Sequence, residues 1–147
     1  MADVVFNIAK GRVAELAALA AANDALIAVP IETTGIESDA TLVDYDTLDA
    51  ILAAANNEQT TMGRKTLASV TVTVDDTNDR TDVDAADPTW TTATGDPVSA
   101  LVICYDPDTT GGTDADLVPL VKLDFAATPA GGDITFQFDA AGFFRAA

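Results

Sequence analysis

The stretch TLASVTVTVDDTNDRTDVD, residues 66–84, decides the fold class. Val70, Val72 and Val74 alternate with Thr71 and Thr73, which is the period of a half-buried strand, and β-branched side chains suit a pleated surface. The cluster Asp75-Asp76-Thr77-Asn78-Asp79 then supplies turn residues, and Val83 falls on a return strand. A hairpin is therefore expected here. SALVICYDPDTTGGTDADLVPLVKLDF, residues 99–125, repeats the design: an apolar run to Tyr105, a loop of Asp, Pro, Thr and Gly, and a second apolar run from Leu117. After a Gly131-Gly132 turn, DITFQFD (133–139) reads as the last strand, with Ile134, Phe136 and Phe138 on one face and Thr135 and Gln137 on the other.

Upstream of residue 66 the texture changes. GRVAELAALAAANDALIAV, residues 11–29, places Val13, Leu16, Leu19 and Ala20 at helical spacing, which favours a helix ending near Asn23-Asp24. A competing reading takes VVFNIAKGRVAEL (4–16) as a strand. ALIAVPIE (25–32) is expected to be a strand, because Pro30 would break a helix yet is tolerated on an edge strand. In DYDTLDAILAAA (44–55), Asp44 or Asp46 can cap a helix over about Asp46 to Ala55, with Leu48, Ile51 and Leu52 as its apolar stripe. These elements predict a mainly β (α+β) fold, an antiparallel β-sandwich or flattened barrel with one or two short helices in the N-terminal half. The 147 residues suit one domain, 1–147, with a mixed helix and strand part over 1–65 and a hairpin part over 66–147.

Charge bounds the partners. Twenty Asp and four Glu against seven Lys and Arg leave a formal net charge of −17, and such a surface repels phosphate, so neither nucleic acid nor an anionic membrane is an expected partner. Aspartate prefers turns and caps, which puts most of this charge in loops. No run of about 20 apolar residues is present to span a bilayer, and Asp3 stands where a signal peptide would carry basic residues, so synthesis in the cytoplasm is expected. One cysteine, Cys104, allows no internal disulfide.

Histidine is absent, which removes the commonest general base and the Ser-His-Asp and Cys-His arrangements. No GxGxxG or GxxxxGK[ST] loop occurs. Asp106 with Asp108, or Asp114 with Asp116, could pair for glycoside hydrolysis, but close aspartates arise by chance among twenty, so no enzyme and no cofactor is expected. The same four residues are weak calcium candidates, since the loop lacks the glycine and glutamate positions of an EF-hand, and no metal is expected. Cys104 reads as a buried core thiol. Trp90 is either core or an interface anchor, whereas the tail AGFFRAA (141–147) carries Phe143, Phe144 and Arg145 as interface candidates. Two adjacent phenylalanines on a strand cannot both face inward, so the tail is expected to be covered either by its own domain or by a neighbouring subunit, and docking on a neighbour is favoured because terminal segments are poorly ordered unless something ties them down.

DYDTLDAILAA (44–54), RKTLASVTVTVDDTNDRTDVDAADPTW (64–90), LVICYDPDTTGGTDADLVPL (101–120) and DITFQFDAAGFFRA (133–146) resemble a family of small accessory proteins encoded among the virion structural genes of tailed bacteriophages, usually of actinobacterial hosts. VTVDDTNDR and CYDPDTTGGTD are the most specific strings. The resemblance implies a structural virion protein, a capsid decoration or minor head protein on the outer surface of the phage head. The major capsid protein is its implied partner, and the chain is expected to be a homo-oligomer, a trimer among the forms. A tail or head-fibre module that binds a receptor is the alternative, and an enzyme is the least favoured.

Overall fold

The computed structural model describes residues 2–19 and 23–147. Its centre is the hairpin of β7 (Val98–Asp106) and β8 (Val118–Ala127), whose residues are buried on both faces over most of their length. That explains the continuous apolar runs in place of alternation. Pro119 cannot donate to a ladder, and the register shift between Ile103 and Cys104, which leaves Leu120 without a partner on β7, accommodates it as a bulge. β2 (Ala25–Glu32) pairs antiparallel with β7, β3 (Lys65–Thr66) with β2, and β1 (Val4–Val5) with β8, giving the order β1-β8-β7-β2-β3. Pro30 lies beyond the reach of β3. Its carbonyl accepts from Gln59 N–H at 2.9 Å, so its missing N–H would have faced the same outer side and no bond to β7 is lost.

The expected hairpin is β4 (Thr71–Asp75) against β5 (Arg80–Asp84), with Val72 opposite Val83. β10 (Phe144–Ala146) adds on the far side of β5, giving β10-β5-β4, while β6 (Thr89–Trp90) and β9 (Ile134–Thr135) form a third small sheet. The mainly β, antiparallel fold class is as expected. An aromatic chain ties the sheets together: Trp90 to Phe125 at 5.8 Å, Phe125 to Phe136 at 5.0 Å, Phe136 to Phe138 at 5.3 Å and Phe138 to Phe143 at 5.3 Å.

Several expectations change. The first helix, α1 (Val13–Ala18), buries Val13, Leu16 and Ala17 but ends with Leu19 already extended; Ala20 lies outside the described residues. Alanine propensity yields here to the need to enter β2 at Ala25, opposite Asp106. A short helix, α2 (Asp39–Leu42), had no sequence signal, and α3 (Leu48–Ala53) is shorter than expected. The cap of α3 is Thr47, whose hydroxyl accepts from Ala50 N–H at 3.2 Å, while Asp44 instead accepts from the Asn7 amide. Carbonyls of Leu117 and Asp114 take the N–H groups of Leu48 and Asp49 at 3.0 Å each and fix where the helix begins. DITFQFD is not the last strand. Only Ile134 and Thr135 pair, after which Phe136 and Phe138 are held by the Pro88 carbonyl and the Asp87 carboxylate, and the closing strand is the tail itself.

Candidate interaction surface

The acidic loop between β7 and β8 is built from local ties. The Asp106 carboxylate accepts from Asp108 N–H at 3.0 Å, and Asp108 in turn accepts from Thr110 N–H at 3.0 Å and its hydroxyl at 2.6 Å. Asp116 accepts from both the N–H and the hydroxyl of Thr113 at 2.9 Å. Asp114 faces away from these, toward Arg64, whose guanidinium donates to both its oxygens at 2.6 and 2.9 Å and to both oxygens of Glu58 at 2.6 and 2.8 Å. Three of the acids are held in the ionised form: the Thr110 hydroxyl lowers the pKa of Asp108, Arg64 that of Asp114, and Thr113 N–H that of Asp116. The four calcium candidates therefore do not converge, and among the described residues no group of three or more His, Cys, Asp or Glu side chains is placed to hold a metal ion. Asp106 with Asp108 and Asp114 with Asp116 are likewise engaged separately rather than as facing pairs.

Cys104 is fully buried in β7, and burial pushes its thiol well above the ordinary value, the opposite of an activated nucleophile. One surface depression of about 430 Å³ is lined by Asp3, Leu123, Phe136, Phe138, Asp139 and Phe143. Its two acids are already acceptors, Asp3 for Asp124 N–H and Asp139 for Ala141 N–H.

The interface candidates divide. Trp90 is 1% exposed and donates its indole N–H to the Gly63 carbonyl at 2.8 Å, which makes it core and not an anchor on the free surface. Phe143 is 8% exposed, and its N–H donates to the Val83 carbonyl at 2.9 Å. Phe144 pairs with Val83 and is half-buried, and Arg145 donates to Asp82 at 2.6 Å. β10 is thus a strand of this chain's own sheet, which corresponds to the other of the two expectations, cover by the tail's own domain. Phe143, just before β10, packs against Phe138, while Phe144 lies opposite Val83, so both rings have partners within the chain. Gly142 permits the docking, since it sits at φ +86° and a Cβ there would collide with the Val83 carbonyl.

Sequence reasoning overlooked two features. Lys122, on β8, is completely buried, with its ammonium 2.9 Å from Asp39 and 2.7 Å from Asp124; Asp39 also accepts from Ala2 N–H at 2.7 Å, so the cluster secures the N-terminal segment beside β1. Its only signal was a lone lysine in an apolar run. The second is the free edge of β4. Val74 is 67% exposed, and among the described residues the only backbone bond this strand makes beyond β5 is the turn bond from Asn78 N–H to the Asp75 carbonyl. The alternation in VTVTV (70–74) was the signal, but it does not tell an edge strand from a central one.

Among the described residues no helix is long and apolar enough to cross a membrane. No protein-family model matches the chain, and no curated protein or solved structure matches it.

Proposed function

We propose that the protein works by assembly, as a decoration or minor head protein that seats on the outer surface of a tailed-phage capsid and stabilises it. The observation that carries this reading is where the ionisable side chains are engaged. The carboxylates of the 106–116 loop hold its turns or pair with Arg64, Cys104 is buried, and Lys122 is enclosed between Asp39 and Asp124. A chain so arranged offers other molecules a firm surface rather than a reaction centre. The resemblance of residues 44–54, 64–90, 101–120 and 133–146 to phage virion proteins supplies the particle.

Physical chemistry supports the rest of the assignment. A protein that binds the assembled shell and not its free subunits stabilises the shell by mass action. A net charge of −17 keeps many copies soluble before assembly and holds them off packaged DNA, so the partners are the major capsid protein and further copies of this chain, not nucleic acid or membrane. The test is to mix purified protein with expanded heads that lack it. Saturable binding, many copies per head and heads that withstand more heat are the expected result. Retention of duplex DNA in a low-salt gel shift, or the absence of saturable binding, would overturn the proposal, and a count of only a few copies per particle would assign the chain to a fibre.

A further inference from the structure

Natural sheets blunt their edges with lysine, proline, bulges or very short strands. β4 has none of these: Thr71-Val72-Thr73-Val74-Asp75 keeps regular register with β5, and its outer side is unpaired. The two faces of this sheet differ sharply. Thr71, Thr73 and Asp75 share the outer face with Arg80, Asp82 and Arg145, where Arg80 lies 3.2 Å from both Asp75 and Asp82. Val72 and Val74 share the inner face with Val83, and Val74 projects past the covered part with two-thirds of its surface in water.

We infer that β4 is a self-association edge, on which a second copy of this chain pairs its own Thr71–Asp75 strand antiparallel about a two-fold axis at Thr73. The strand is self-complementary in that arrangement. Thr73 meets Thr73 of the second copy, each Val72 lies opposite a Val74, and each Thr71 lies opposite an Asp75 that already has Arg80 beside it. Each inner face then carries an unbroken row from Val83 through Val72 to the second copy's Val74, which covers the exposed valine. Two three-stranded sheets become one of six strands. The seam holds no unneutralised charge, so it has nothing for a basic partner segment to read, which favours a second copy as the occupant over an extended basic segment of another protein. This inference rests on the edge alone and stands or falls independently of the particle reading.

Salt separates the two occupants. Two bodies of charge −17 repel, so pairing through an uncharged seam strengthens with screening, whereas capture of a basic segment weakens. Sedimentation of the full chain at about 0.05 M and about 1 M NaCl should show the dimer dissociation constant falling about tenfold or more. Thr73 is exposed on the outer face, so Thr73→Lys and Thr73→Glu should keep the parent melting temperature. At about 0.15 M NaCl, where charges meeting at the axis are still felt, each alone should dimerise more weakly than the parent, because like charges meet there, and an equimolar mixture should recover a heterodimer. A chain monomeric at both salt concentrations, an association that weakens with salt, or a dimer indifferent to both substitutions would overturn the inference.

Discussion

Phe143→Ala tests whether the tail belongs to this fold. Phe143 is 8% exposed, packs 5.3 Å from the ring of Phe138, and ends the aromatic chain that starts at Trp90. Truncating a buried phenylalanine costs ~3–5 kcal/mol, partly as lost transfer energy and partly as the cavity left behind. Two surface depressions adjoin the ring, one lined by Leu123 and Phe136 and the other by Val5 and Val121, so the site can partly collapse and the lower end, ~3 kcal/mol, applies. In a domain of this size that is a fall of about 10 °C in melting temperature. Phe144→Ala removes a half-buried ring opposite Val83 and should cost about half as much. Calorimetry, with sedimentation on the same samples, makes the comparison. Unchanged melting of Phe143→Ala together with lost self-association or lost capsid binding would refute the reasoning, because it would place the ring on a neighbour and not under β8 and the Phe136–Phe138 segment.

The Lys122 cluster should respond asymmetrically. Lys122→Met leaves Asp39 and Asp124 with side chains 24% and 44% exposed and able to hydrate, and should change stability by less than ~1.5 kcal/mol; Asp39→Ala with Asp124→Ala strands a buried ammonium and should cost ~3–5 kcal/mol by urea unfolding. On acidification, Asp39, Asp75, Asp82, Asp108, Asp114 and Asp116 act together. Their folded pKa values lie below the ordinary range, because of Ala2 N–H, Asn78, Arg145, Thr110, Arg64 and Thr113 N–H in turn. The stability they add is therefore complete above an unfolded-chain pKa of about 4 and is lost as pH falls through the lower folded values, so melting temperature should drop below about pH 4 and not between pH 5 and 7. Addition of EDTA should leave melting within about 2 °C, whereas emptying a site held at 100 times its dissociation constant would remove ~2.7 kcal/mol.

What the sequence made legible was local. The hairpin at 71–84 follows from a period of two and the one at 98–127 from two continuous apolar runs, each pair of strands being separated by a cluster of turn residues. What it hid depends on distant residues. Nothing in ALIAVPIE says that β2 lies beside β7, and nothing in DATL marks α2. The tail's strand was not legible because GFFRAA is too short to show a period; the strand exists because Val83 offers a carbonyl and Gly142 lets the chain reach it. At the candidate surface, Arg64 and Asp114 lie fifty positions apart and Lys122 and Asp39 eighty-three, so composition could count these charges but could not pair them.

The choice of aspartate carries one further step of argument. Its short side chain reaches a backbone N–H two residues on, as Asp75, Asp106, Asp108 and Asp139 all do, and Asp3 and Asp133 serve N–H groups across the fold. Glutamate, one methylene longer, does not favour that geometry. Asparagine does, with no charge, yet the chain has twenty aspartates and five asparagines. Turn geometry therefore accounts for the length of these side chains and not for their ionisation. The charge answers a second requirement, repulsion from other anionic polymers and from further copies wherever the surface is not neutralised. On the self-association edge we infer, the one acid of β4 lies beside Arg80, so this edge would oppose a second copy less than a stretch of unpaired aspartates would.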